Sequence, residues 1–242
     1  MSKTLKENAI FITGGGQRIG AYLVRQFLAN TDYPVVFTYR TQYAEVDELV
    51  ELGAIAIQCD FDDQNNLPGL VKQIKQYCES LRAVIHNASV WLSDEQAPVF
   101  STAYQGLFRL HVEVPNFLNH QLQSLLLASN SELKDIISLS DYSVSHVSDT
   151  HIAYLSSKAA MQTSSVAFAK KFAPHIKVND IAPALIIFNE GDSEAYKQKR
   201  LSQAAIPIEP GEEVVWQAVM YLMNSSYTTG ISLPLNGGRH LL

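Results

Sequence analysis

Apolar and polar positions alternate along this 242-residue chain in two registers. Short apolar runs bounded by turn residues or charge occur at Ala9–Thr13, Pro34–Thr38, Ala54–Cys59, Ala83–His86, Asp135–Leu139 and Ile176–Ile181, and they predict buried strands. Ile231–Leu235 is a weaker seventh. Between them, Ile19–Leu28, Ala44–Leu52, Leu67–Cys78, Phe108–Leu127, His151–Phe172 and Glu212–Met223 have the length and one-sided apolar spacing of amphipathic helices. Strands that alternate with helices imply a parallel sheet, because parallel neighbours need a crossover connection. The expected fold class is α/β: one doubly wound domain over residues 1–242, with about seven parallel strands and helices on both faces. No repeat, linker or low-complexity tract interrupts it.

Composition narrows the function classes. Apolar residues make up 47% and charged residues 17%, as in a chain with a large buried core. A net charge of -6 argues against nucleic acid, which calls for a basic face. Cys59 and Cys78 are not spaced as metal ligands and read as two buried thiols of a reducing compartment; no metal is expected. Met1–Asn8 is polar and lacks a signal-peptide pattern, and no apolar run reaches the roughly 20 residues that span a bilayer. A soluble, cytoplasmic protein without membrane contact is expected.

The first strand ends in Thr13-Gly14-Gly15-Gly16-Gln17-Arg18-Ile19-Gly20 and runs into a helix. Glycines there permit a tight turn and close approach of a pyrophosphate to free helix N–H groups, so Gly14, Gln17, Arg18, Ile19 and Gly20 are candidate dinucleotide contacts in a Rossmann-type fold. NAD sites carry an acid about 20 residues further on. Here Arg40 stands at that distance, followed by Thr41, and a guanidinium with a neighbouring hydroxyl suits a 2′-phosphate. The expected cofactor is NADPH. Asp60, ending the third strand, either bonds the adenine or caps the next turn.

Tyr154 and Lys158 lie four apart on a long predicted helix and share a face. A nearby ammonium favours the phenolate and is expected to lower the tyrosine pKa from its usual value of about 10. Taken together, Thr13-Gly14…Gly20, Asn87-Ala88, Tyr154…Lys158, Val178-Asn179…Pro183 and Gly237-Gly238 resemble the short-chain dehydrogenase/reductase superfamily in order and spacing, from residue 9 to residue 238. The resemblance implies hydride transfer from nicotinamide, with Tyr154 as proton donor and Lys158 on the ribose. It places Asn87, Ala88 and Pro183 along the cofactor channel.

Departures from the superfamily pattern carry further information. The position thirteen before the tyrosine, usually a carbonyl-polarising serine, is Asp141. A carboxylate would repel a developing alkoxide but suits a nitrogen heterocycle with N–H donors. In a register slipped by one residue, Ser140 would take the serine's place. Arg18 replaces a usual glycine, and Ser89-Val90-Trp91 follows Asn87-Ala88 where glycine is common. Trp91 either stacks on a flat substrate or packs the cleft wall. The helix asparagine of the superfamily's proton relay falls on His111, which can hold water or sit satisfied in the core.

Arg18, Ser89, Trp91 and Asp141 together resemble the pteridine reductase branch. The stretches Asp141-Tyr142, His151–Tyr154 and Phe188-Asn189-Glu190, and the ending Gly237-Gly238-Arg239-His240, are similar to its bacterial dihydromonapterin reductase family, whose members also act as alternative dihydrofolate reductases. That resemblance implies a dihydropterin or folate substrate, contacted by Arg18, Ser89, Trp91, Asp141 and Tyr154, with Asp141, Tyr154 and Lys158 handling protons. It also implies a homo-oligomer, dimer or tetramer, paired through the helices around Phe108–Leu127 and His151–Phe172. Residues Ala184–Gln203 are expected to form a flap over the substrate. Two alternatives are a reductase of sugar, ketone or acyl carbonyls, and a non-catalytic NADPH-binding sensor.

Overall fold

A computed structural model of the chain describes residues 5–242; the first four residues of the polar Met1–Asn8 stretch lie outside them. Seven strands form one parallel sheet in the order β3-β2-β1-β4-β5-β6-β7. They are β1 (Ala9–Thr13), β2 (Val35–Tyr39), β3 (Ile55–Gln58), β4 (Leu81–His86), β5 (Asp135–Leu139), β6 (Lys177–Pro183) and β7 (Ser232–Leu235). The order reverses between β1 and β4, which open a crevice at their carboxyl ends, where Thr13 pairs with His86.

The two-residue side-chain period of each strand divides the core in two. Phe11, Val84, Ile136 and Val178 face one layer, packed by α3 (Asn66–Tyr77), α5 (Val114–Leu127) and α6 (Ile152–Phe172). Ile12, Ile85, Ile137 and Ile181 face the other, packed by α1 (Arg18–Asn30), α2 (Ala44–Glu51) and α8 (Glu213–Asn224). Cys59 and Cys78 are free and buried, and burial pushes their thiols up to about 11 and about 12.

The helix expected over Phe108–Leu127 has a different start and a break. A helix α4 (Thr102–Phe108) begins at the Ser101 cap, whose hydroxyl accepts from Tyr104 N–H at 3.0 Å. A π-helical turn, Arg109–Glu113, then joins it to α5. Pro115, with no N–H to give the preceding turn, accounts for the wider winding there. The flap is also not all loop. It contains α7 (Glu194–Leu201), capped by Ser193, whose hydroxyl accepts from Tyr196 N–H at 3.3 Å, and none of its residues is buried. Among the described residues, no helix is long and apolar enough to cross a membrane.

Candidate active site

The crevice is built by zipping the ends of β1 and β4 together. The Thr13 hydroxyl accepts from Asn87 N–H and Ala88 N–H, both at 3.1 Å. The Asn87 carboxamide donates to Thr13 O and Gly14 O at 3.1 and 2.9 Å. This closeness fixes the glycines. A Cβ on Gly20 would stand 2.1 Å from Gly14 O, and one on Gly14 would stand 2.8 Å from Ala88 Cα. Gln17, at the N-cap of α1, makes no side-chain cap bond. Arg18 holds a left-handed backbone (φ 51°), a conformation that suits the glycine common at this place in the superfamily. Its guanidinium reaches Asn189 Oδ1 at 2.5 Å, tying the loop to the flap.

A small cavity of about 50 Å³ adjoins the loop, lined by Gly16, Gln17, Tyr39, Arg40, Thr41 and Tyr43. Arg40 is exposed and lies 3.7 Å from Asp62 Oδ2. Asp60 does not line this cavity. Its carboxylate accepts from Asp62 N–H at 3.0 Å, so it caps the following turn.

Arg18, Ser89, Trp91, Asp141, Tyr154 and Lys158 line one open cleft of about 1290 Å³, which Pro183 and the flap also border. Tyr154 Oη donates to Asp141 Oδ2 at 3.0 Å. Asp141 also accepts from Ser143 N–H at 2.7 Å, which starts a short 3₁₀ turn, Tyr142–Val144, and aims the carboxylate at the tyrosine. The slipped register is excluded by the geometry of Ser140. Its hydroxyl is already given to Asp180 Oδ2 at 2.6 Å, and it is Asp141, not Ser140, that meets the tyrosine.

Lys158 is fully buried, and its Nζ donates to Leu139 O at 2.8 Å. Burial lowers its pKa to about 8, against the opposing charges of Asp141 and Asp180. The expected lowering of the Tyr154 pKa is overturned. Burial and then the Asp141 charge push the phenol well above its usual value.

His111 sits in the π-helical turn and is wholly buried. Its Nδ1 stands 2.8 Å from Ser157 Oγ, and Ser157 donates its own proton to Tyr154 O at 2.7 Å. His111 Nδ1 is therefore the donor, and Nε2 accepts from Ser89 Oγ at 3.0 Å. Burial, then the Lys158 charge, holds the imidazole neutral. Trp91 is exposed at the cleft mouth, with one face stacked on His151 at 4.1 Å between ring centroids. Sequence reasoning missed that partner, together with Asp180 and the cleft arginines Arg200 and Arg239, although His151, Arg200 and Arg239 all lie in stretches that had drawn attention.

Comparison with known proteins follows the same lines. A family profile described as Enoyl-(Acyl carrier protein) reductase matches residues 17–240. Dihydromonapterin reductase of Klebsiella pneumoniae is 43% identical over 96% of each chain. Dihydromonapterin reductase of Escherichia coli O6:K15:H31 is 42% identical over the same shares. In fold, the chain is similar to the FolM alternative dihydrofolate reductase 1 of Brucella canis, solved with NADP. The TM-score is 0.86 at 22% identity, covering 100% of this chain and 97% of that one.

Proposed function

Because the chain belongs to the dihydromonapterin reductase family of short-chain dehydrogenases/reductases, we propose that it reduces a 7,8-dihydropterin with NADPH, with dihydromonapterin as substrate and dihydrofolate as a second one. The observation that carries this reading is the 3.0 Å bond from Tyr154 Oη to Asp141. It puts a carboxylate, not a hydroxyl, where the substrate must meet the tyrosine.

The residues present fit the dinucleotide. Glycines 14 and 20 occupy a cradle that a Cβ would fill, the N-terminus of α1 is free of a side-chain cap, and Arg40 with Thr41 borders a cavity of phosphate size. In this reading Gln17, Ile19, Asn87 and Pro183 line the cofactor's path, Ala88 backs Gly14 in the cradle and Lys158 takes the ribose, while Asp60 has the turn as its partner. NADPH supplies the hydride for C6 of the pterin.

The matching proton for N5 comes through Asp141 and Tyr154, which share one proton and act as a unit. The raised phenol pKa keeps Tyr154 protonated, and so a donor, at neutral pH. Ser89, anchored by His111, and Arg18, anchored by Asn189, orient the ring from two sides. Trp91, backed by His151, supplies a flat face at the mouth. A carbonyl substrate would build alkoxide charge against Asp141, which disfavours the ketone alternative. We further propose a cytoplasmic homo-oligomer paired through α5 and α6, where Leu127, Ile152 and Val166 are exposed; chromatography with light scattering tests the pairing.

The test is Asp141→Ser. Turnover of dihydropterin should fall about 100-fold or more, the range for losing a positioned proton-handling group, while NADPH affinity stays within about threefold. Unchanged turnover would remove Asp141 from the mechanism, and no turnover of dihydropterin by the wild type would remove the reading.

A further inference from the structure

The cleft holds two arginines that the reaction does not use. Arg200, in α7 of the flap, and Arg239, in the short 3₁₀ turn Arg239–Leu241, line the same cleft as Asp141 and Tyr154. Both donate to one oxygen, Gln203 Oε1, from Arg200 Nη1 at 3.2 Å and from Arg239 Nη2 at 2.8 Å. Two like charges thus converge on a neutral acceptor. No carboxylate among the described residues lies within 4.0 Å of either guanidinium.

Of the aspartates lining the cleft, Asp141 is bonded to Tyr154 and Ser143, Asp192 accepts from Asn189 N–H, and Asp149 is exposed. Arg200 Nε is buried with no partner at all. Burial and the neighbouring Arg200 charge also press the Arg239 pKa down, against the opposing charges of Tyr142, Asp141 and Tyr196. In a chain of net charge -6, a cleft wall of this kind is an exception to the overall balance.

Unpaired, partly buried guanidiniums lose hydration without a compensating partner, and a forked anion restores both bonds and charge. The position of Gln203 Oε1 shows where an acceptor oxygen sits between the two heads. We propose that Arg200 and Arg239 form an anion subsite for the side-chain end of the substrate, holding the carboxylate or phosphate of an acidic 7,8-dihydropterin. This rests on the dihydropterin reading given above and deepens it: substrates whose C6 side chain ends in an anion, dihydrofolate among them, gain a contact that neutral hydroxyls do not make. Gln203 holds the two heads together until the anion arrives.

The experiment compares kcat/KM for dihydromonapterin, its phosphate monoester and dihydrofolate, in wild type, Arg200→Gln, Arg239→Gln and the double variant. The ratio of each acidic substrate to the neutral one should fall at least tenfold in each single variant and further in the double. Raising salt should lower the wild-type ratio toward theirs. A fall for dihydrofolate alone assigns the subsite to carboxylates, and a fall for the phosphate ester alone assigns it to phosphates. Ratios that stay within twofold for both overturn the proposal.

Calorimetric titration of the wild type saturated with NADP⁺, which fills the phosphate sites of the cofactor, with p-aminobenzoylglutamate and with inorganic phosphate gives a readout free of turnover and of any folding defect in the variants. Binding of either that weakens with salt supports the subsite, and no binding of either contradicts it. If one of them binds through the arginines while no dihydropterin is reduced, the reductase reading fails and the anion subsite stands.

Discussion

Tyr154, Asp141 and Lys158 are held in different electrostatic states by their surroundings. The phenol is pushed up by burial and by the Asp141 charge, so it stays protonated and donates at 3.0 Å. The Lys158 ammonium, lowered to about 8, loses its charge just above neutrality. If that charge is needed for the cofactor, kcat/KM for NADPH should fall as pH rises through about 8. In Lys158→Arg, where the charge cannot be lost, the descending limb should vanish even though turnover is reduced. A profile flat to pH 10 in wild type would contradict this.

The sign for stability is the opposite. The folded value lies below the reference of 10.5, so the cost of burying the ammonium is greatest below about pH 8 and is relieved as pH rises toward 10.5. Arg18 shows a second residue-scale conflict, since its left-handed backbone costs an L-residue about 1–2 kcal/mol. Arg18→Gly should stabilise the fold by up to about 1 kcal/mol once glycine's added chain entropy is subtracted. Thermal melts would show this as a rise of about 2–4 °C. The same variant loses the link to Asn189 and should raise KM for dihydropterin several-fold. A lower melting temperature would refute the strain argument.

Among the elements, the amino-terminal edge of the sheet is bound to α8 by charge. Asp135 of β5 accepts from Arg82 of β4 at 2.5 Å and lies 3.0 Å from Lys177 of β6, all three buried. The two cations also cap the end of α8. Arg82 donates to Met223 O at 2.8 Å, and Lys177 donates to Leu222 O and Ser225 O, both at 2.6 Å. Arg82→Met should cost about 3–5 kcal/mol, because it leaves a buried carboxylate with one partner and frees a helix carbonyl. For a domain of this size that is roughly a 6–20 °C loss in melting temperature. A loss under about 1 kcal/mol by denaturant titration would show that Lys177 alone satisfies Asp135.

The elements differ in how much of them the sequence discloses. The core strands were legible because each is apolar on both sides and bounded by turns. The break in the helix around Pro115 and the flap helix after Ser193 were not read, although Pro115 and the Ser-Glu start were visible signals. The flap helix buries nothing, so no apolar period marks it.

For the whole molecule, order along the chain was enough to bring the site together. Arg18, Ser89, Trp91, Asp141, Tyr154 and Lys158 come from four separate places in the sequence and line one cleft. What was not legible depends on three-dimensional neighbours. Only the fold buries Tyr154 and sets Asp141 against it, and burial first, then that charge, reverse the expected lowering of its pKa. Only the fold closes Asp60 onto its own turn, stacks His151 on Trp91 and brings Arg200 of the flap beside Arg239 of the carboxyl-terminal turn.

The central claim joins the cofactor end of this cleft to its substrate end, and steady-state oxidation of NADPH by the purified protein with dihydromonapterin tests both together. The account expects rapid turnover, a rate with NADH at least about tenfold lower for want of a 2′-phosphate on Arg40, and slow or absent reduction of simple ketones. Turnover of a ketone panel with no reduction of dihydromonapterin would contradict it.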